Sequence, residues 1–347
     1  MMTRFVFTIM LAVLASSPSA ASTDCTVPGD YDAAARPAPD DGPTGVRLHL
    51  FVVAIDGIYD TDQSFRADFF IRARWTDRRL AGLASERGLT SCEFRTSDIW
   101  NPDLTIFNRR EAGLQLAPAV RVDDSGGADV LRRFQGSLRS PLNLRDFPLD
   151  RQALPITLVS LAYDRSELTL NLMDRNIESE TGTELPGWRT IDSRHELGVI
   201  ELAGSEGGRE ERSRLDYIVT VEREFGYYLW RAIAPLTFIV LMSWAVFWIE
   251  PENAGIQIAL ASTSILTLIA FLFSLNSLLP PISYLTRMDF FLFGSLVLVF
   301  IAFAESIVTA TLARDGRTEL SLRLDRGARF LFPLAFLLIH GIVWTLG

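Results

Sequence analysis

Two kinds of hydrophobic pattern divide this chain. From Val46 apolar and polar residues largely alternate. Val46-Arg-Leu-His-Leu-Phe-Val-Val-Ala-Ile55 and Ser64-Phe-Arg-Ala-Asp-Phe-Phe-Ile-Arg-Ala-Arg-Trp75 are the clearest runs, punctuated by Asp56-Gly57 and Asp60-Thr-Asp62. Period two is the signature of a strand with one buried face. Further short runs fall near 104–108, 115–121, 129–138, 153–160, 167–173, 197–203 and 214–223, separated by Gly, Pro, Asp and Asn. No long amphipathic helix competes, so this half is expected to be a β-sandwich. Beyond Gly226-Tyr-Tyr the alternation stops. Apolar stretches at 229–249, 258–279, 290–312 and 330–346 follow, the last of them short. A bilayer-spanning helix needs about 20 such residues.

The second stretch differs from the others. It holds Ser262, Thr263, Ser264, Thr267, Ser274, Asn276 and Ser277. Hydroxyls in hydrocarbon need a partner or water, so this helix is expected to be shielded from lipid by other helices. It either packs against protein alone or lines water.

The start of the chain has the form of an export signal. Arg4 gives the positive end, Phe5 to Leu14 the apolar core, and Ser19-Ala20-Ala21 the small residues of a cleavage site. The expected organisation is a signal peptide at 1–21, a β-domain outside the membrane at 22–227 and a membrane domain at 228–347. Residues 22–45, rich in Pro, Gly, Asp and Ala, read as an irregular arm with a short helix. The connection after the third stretch carries Arg314, Arg317, Arg323, Arg326 and Arg329, and the one before it only Arg287. The positive-inside rule puts the arginine-rich connection in the cytoplasm, which agrees with an exported N-terminal domain and leaves the C-terminus outside.

A net charge of −9 makes nucleic acid a poor partner. Two cysteines, Cys25 and Cys92, are free to pair in an oxidising compartment, though their spacing does not require it. With His49, His195 and His340 scattered, no metal site is expected, and no cofactor. There is no G-x-S-x-G, phosphate-binding loop or H-E-x-x-H to suggest an enzyme.

Several motifs sit in one order. Trp75-Thr-Asp77 is a W-x-D. Trp100-Asn-Pro-Asp103 with Asn108 is a W-x-P-D-x(4)-N. Phe147-Pro-Leu-Asp150 with Gln152 is an F-P-x-D turn. Arg223 lies twelve residues before Pro235, and Leu279-Pro-Pro-Ile-Ser-Tyr284 follows the second stretch. Each is weak alone. Together, with four spans behind them, the chain resembles the pentameric ligand-gated ion channels, the Cys-loop receptor superfamily, in its prokaryotic form. The two loop cysteines of animal receptors would fall at Ser140 and Leu154, and the third connection, about 313–328, is short.

The resemblance implies an all-β immunoglobulin-like sandwich followed by a four-helix transmembrane bundle. It implies a homopentamer in a cell membrane, and a response to a small ligand or protons. Monovalent ions would pass along an axis lined by the second span. Aligned on Pro280, the pore-facing positions are Ala259, Thr263, Leu266, Ala270, Phe273 and Ser277. Rings of Leu266 and Phe273 would form apolar constrictions that dewet. Glu250 and Glu252 are the only charges between Arg231 and Arg287 and would favour cations. The spacing from Trp248 to Leu266 resembles anion-selective members, but Gly255-Ile256-Gln257 lacks their basic residue.

Four segments would meet at the membrane face and couple it to the pore: Asp60-Thr-Asp62, Phe147-Pro-Leu-Asp150, Arg223 and Pro281-Ile-Ser-Tyr284, with Asp60 or Asp62 near the Arg223–Asp150 pair. A ligand would sit between subunits, near Phe70 on one face and Phe107 and Tyr163 on the other. Leu161 stands where the family usually has Trp. The tip loop at 204–213 has charges, Glu206, Arg209, Glu210, Glu211 and Arg212, but no aromatic. A full cation–π cage is therefore not expected. The rival readings are an enzyme and a membrane ligand sensor that does not conduct.

Overall fold

A computed structural model describes residues 25–114, 119–173, 185–203, 208–276 and 282–346. The expected signal peptide, Ser277, Pro281 and Glu206 lie outside the described residues. The strands are β1 (Thr44–Tyr59), β2 (Ser64–Thr76), β3 (Ser91–Arg95), β4 (Leu104–Ile106), β5 (Arg109–Leu114), β6 (Ala119–Asp123), β7 (Gly127–Arg139), β8 (Arg151–Ser160), β9 (Leu168–Leu172), β10 (Trp188–Ala203) and β11 (Arg209–Arg223). One sheet runs β3-β6-β7-β2-β1-β9, with β5 also on β7, and the other β10-β11-β8-β4. The strands pair antiparallel except β1 with β9.

The period-two pattern explains the packing. Leu48 and Leu50 on β1 and Phe69 and Ile71 on β2 face inward, against Ile156 and Leu158 on β8 and Leu215 and Tyr217 on β11. The residues between them, His49, Phe51, Phe70 and Arg72, are left on the outer face of the first sheet. The motif residues are nodes of this frame. Asn108 donates to the carbonyls of Arg139 (2.9 Å) and Pro155 (2.7 Å) and accepts from Thr157 N (3.1 Å), locking the β4–β5 turn onto β8. Asp77, fully buried, accepts from Tyr31 Oη (2.8 Å) and from Arg79.

The arm before β1 is tied down at two points. Tyr31 Oη bridges Asp77 and the backbone N–H of Trp100 (3.0 Å), and its phenol is pushed up to about 12 by burial and by Asp77. Cys25 and Cys92 form a disulfide, with Cα atoms 5.6 Å apart, joining the arm to β3. The short helix expected in the arm is a single 3₁₀ turn, Pro39–Asp41.

Among the described residues, four helical segments long and apolar enough to cross a membrane follow. The first, Phe225–Trp248, is composite: α1 (Phe225–Tyr228), a π-helical turn (Leu229–Ile233), α2 (Ala234–Trp244) and a 3₁₀ turn. Pro235 starts α2 and cannot donate a backbone hydrogen bond; the wider π turn just ahead of it accommodates the loss. The others are α3 (Ala254–Asn276), α4 (Arg287–Arg314) and α5 (Thr318–Leu346). Thr286 and Asp289 cap α4 reciprocally. On α4, Gly294 permits close contact with α5, since a Cβ there would lie 2.6 Å from Ile339 Cγ2. The fourth helix begins at Thr318, not near 330 as the apolar stretch alone indicated. Arg323 and Arg326 fall on its exposed side while Ser321 and Asp325 turn inward, so the helical period carries on through the charged segment.

Candidate functional site

Helix α3 has one buried stripe and one open face. Gln257, Ala261, Ser264, Leu268 and Leu275 are buried against the rest of the bundle, at the three- and four-residue steps of one helix face and its continuation. Ala259, Thr263, Leu266, Ala270 and Phe273 lie on the opposite side and are exposed, Leu266 at 69% and Phe273 at 73%. The hydroxyls that singled this helix out are partly satisfied within it. Ser262, Thr263 and Ser264 donate to the carbonyls four residues earlier at 2.7, 2.8 and 3.0 Å. They therefore do not by themselves demand water. The open face is the stronger sign that α3 borders something other than its own chain.

At the foot of α3, Glu250 precedes a 3₁₀ turn, Pro251–Asn253, that contains Glu252. Both side chains are exposed, and neither forms an ion pair among the described residues. Gln257 Nε2 donates to the Ile249 carbonyl (2.8 Å) and pins the turn to the helix.

The junction between the β-domain and the helices centres on Arg223, the last residue of β11. Its Nε and one NH2 group reach the two Asp150 oxygens (2.7 and 3.1 Å), and the Asp60 carboxylate takes two further bonds (both 2.9 Å). It also donates to Tyr228 Oη (3.0 Å). Trp188 and Phe147 cover the guanidinium at 4.1 and 4.8 Å from their ring centroids. Arg223 is 6% and Asp150 1% exposed. Burial opposes the charge, but Asp60 and Asp150 outweigh it and hold Arg223 above the ordinary arginine range. Gln152 Nε2 bonds Asp150 (2.5 Å) and fixes its orientation.

Asp60 alone of the two hairpin carboxylates takes part. Asp62 sits beyond the turn closed by its own N–H onto Tyr59 O (3.2 Å), its carbonyl accepts from Arg110 (3.0 Å) and its side chain is exposed. The segment ending at Tyr284, expected beside the Phe147–Asp150 turn, makes the second half of the junction together with Arg287. Tyr284 Oη accepts from Leu144 N (3.0 Å), Arg287 pairs with Asp146 (2.9 Å), and the N–H of Arg287 donates to Arg145 O (3.0 Å). The 143–149 turn is thereby fastened to the start of α4. Nothing in the sequence pointed to the Arg287–Asp146 pair.

The aromatic candidates divide between two faces. Phe70 lies on the outer face of β2, stacked on Phe51 (5.0 Å), with the Arg133 guanidinium 5.4 Å from its ring. Arg133 is held there by Asp68. Phe107 is exposed at 45% after β4, while Tyr163 packs on Trp100 (5.5 Å) and accepts its indole hydrogen bond (2.8 Å). No ring contact among the described residues joins Phe70 to the other two. The tip charges are engaged locally. Arg209 pairs with Glu201 and Glu211 with Arg165, at 3.1 and 3.3 Å, and buried Arg212 donates to Leu161 O (2.5 Å). Residues 209–213 belong to β11, not to a loop.

Two family models match this chain. The neurotransmitter-gated ion-channel ligand binding domain covers residues 24–225, and the neurotransmitter-gated ion-channel transmembrane region covers 232–321. The chain belongs to the neurotransmitter-gated ion-channel family. It is a membrane-embedded member and not an enzyme. It is 25% identical over 303 residues to a proton-gated ion channel of Gloeobacter violaceus, spanning 87% of this chain and 83% of that one. It is 27% identical over 306 residues to a glutamate-gated chloride channel of Drosophila melanogaster, spanning 86% of this chain and 66% of the fly protein, just under two thirds of its length. In this channel family member Arg223 lies where the β-domain meets the first helical segment, and α3 carries the open stripe.

Proposed function

We propose that five copies of this chain form a cation-conducting channel whose pore is lined by α3 and opened by a small ligand or protons acting on the β-domain. The carrying observation is the open stripe Ala259, Thr263, Leu266, Ala270 and Phe273 opposite the buried one. A helix apolar over this length and exposed on one face has either lipid or symmetry mates to cover it. The small and hydroxylated residues on that face suit a water-filled axis better than lipid tails. Reversal potentials of purified channels in planar bilayers, measured with unequal salt, test the reading.

The cation reading rests on Glu250 and Glu252, exposed at the mouth and without ion pairs among the described residues. A ring of five such turns concentrates cations there. Replacing both by Gln is expected to reduce conductance severalfold or move the reversal potential toward that of chloride. A wild type that already follows chloride, as the fly relative's name would suggest for that protein, contradicts the cation reading.

The ligand is expected where Phe70 of one subunit meets Phe107 and Tyr163 of the next. Arg133 already covers the Phe70 ring and Tyr163 is held by Trp100. Simple quaternary ammonium compounds, which need open aromatic faces, are therefore expected to be weak or inactive. Alanine substitution of each aromatic is expected to shift the potency of any activating polar ligand. Unchanged potency in all three variants would move the site elsewhere. Protons are the second reading, favoured by His195, whose Nε2 lies 3.3 Å from Leu50 O between the two sheets. Burial, helped by the nearby His49, outweighs the Leu50 hydrogen bond and holds this imidazole below its usual range, so it gains charge in acid.

A further inference from the structure

The cytoplasmic part of the helical bundle contains two carboxyls that the pore does not use. Ser321 on α5 bonds Thr309 O on α4 (2.9 Å), and one turn further along these two helices, which pack against each other, that register brings Glu305 and Asp325 level, with their carboxyl oxygens buried. At about 1.5 Å per residue, Glu305 lies about 13 Å from the end of α4 and Asp325 about 10 Å from the start of α5. Asp325 is 1% exposed, and none of the four carboxyl oxygens has a hydrogen-bond donor among the described residues.

Nearby donors are committed elsewhere. Ser306 Oγ donates to Ala302 O (2.8 Å), Thr309 Oγ1 to Glu305 O (3.1 Å) and Ser321 Oγ to Thr309 O (2.9 Å). Arg329, one turn along α5, forms no ion pair with Asp325 among the described residues. Its Nε donates to Phe247 O (2.9 Å) and its guanidinium lies 4.6 Å from the Trp248 ring centroid. The other charges on the packed elements face away. Glu319 pairs with Arg323 (3.6 Å), while Arg314, Arg326, Glu250 and Glu252 are exposed, and α3 carries no charged residue.

Two ionised carboxylates in contact, away from water and without a cation, repel each other with nothing to offset the cost. One hydrogen between them turns the same contact into a charge-assisted hydrogen bond. We propose that Glu305 and Asp325 together bind a single proton exchanged with the cytoplasmic side, through which internal pH sets how firmly α5 docks. Helix α5 packs on α4 and on the turns that lead into α3, so loosening it reaches the foot of the pore. The proton site stands independently of the channel reading; its effect on current rests on that reading.

The test uses the full chain in lipid nanodiscs. Infrared spectra of the wild type are expected to show a carboxylic-acid C=O band at neutral pH that disappears in alkali. Glu305→Gln and Asp325→Asn, whose amides donate without a titrating proton, are each expected to lack it. In inside-out patches at fixed external pH, raising internal pH is expected to lower wild-type current severalfold and to leave both variants unchanged. A folded wild type without the band overturns the proposal, as does a band that persists in both variants. A titrating band with current indifferent to internal pH overturns its regulatory half. A titrating band in a chain that never conducts supports the proton site and refutes the channel reading.

Discussion

Arg223→Ala is expected to abolish gating, and in many preparations to reduce assembly, while the β-domain keeps its fold. The guanidinium is enclosed by Asp60, Asp150, Tyr228 and two aromatic faces. Removing it leaves two carboxylates at a buried junction with their shared partner gone. Breaking a buried pair from one side costs about 3–5 kcal/mol, and here one residue serves two pairs. Arg223→Lys keeps the charge but cannot hold both carboxylates through paired planar bonds, so it is expected to recover only part of the response. Asp150→Asn and Asp60→Asn should each impair gating. Their effects combined with Arg223→Ala should be clearly less than additive, because all three act through one contact. Circular dichroism and size-exclusion profiles check the fold and assembly, and current measurements check gating. Full additivity, or normal currents from Arg223→Ala, would show that the cluster is not the link between the domains.

Leu266→Ala is expected to produce channels that leak when unstimulated. Leu266 lies on the open face of α3 between Thr263 and Ala270 and is 69% exposed in a single chain. In a ring, its side chains would narrow and dry the axis. Each methylene-sized group contributes about 0.8 kcal/mol to an apolar contact, and the change repeats in every subunit. Only about 1.4 kcal/mol of that total is needed for a tenfold shift toward the wetted state. Phe273→Ala is expected to act in the same direction. The check is unstimulated current per channel in the two variants and the wild type. A Leu266→Ala channel that is as tight as wild type and equally sensitive to its stimulus places the gate elsewhere.

The parts of the fold that were legible in the sequence are those whose pattern is local. Alternation from Val46 to Ile55 and from Ser64 to Trp75 marks β1 and β2 because each has one core face. Strands β3 and β5 were missed. Ser91-Cys-Glu-Phe-Arg95 has only two apolar residues, and Arg109-Arg-Glu-Ala-Gly-Leu114 has no clean alternation. They are strands because β6 and β7 pair with them, which is long-range information. The four spans were visible from apolar length alone, but not the charged first turns of α5, whose position depends on contacts with α4.

The candidate sites show the same division. Motif spacing singled out Arg223 and Asp150, yet could not choose between Asp60 and Asp62; the hairpin turn makes that choice in three dimensions. The aromatic cover from Trp188, Phe147 and Tyr228 draws on three separate segments. Spacing left the Cys25–Cys92 bond open, and the packing of the arm beside β3 brings the two together. Glu305 and Asp325 look like unrelated acids along the chain and become neighbours only through the antiparallel packing of α4 and α5.

The proposed channel conducts ions through a gated axial pore. Single-channel recording from the purified wild type in planar bilayers, with external pH stepped from neutral to acid and polar small molecules added in turn, tests this conduction. Unitary current steps that appear on stimulation, reverse near the cation equilibrium potential and become stimulus-independent in Leu266→Ala are the predicted result. A folded, membrane-inserted oligomer that passes no unitary current under any of these conditions, in wild type and in Leu266→Ala alike, would contradict it.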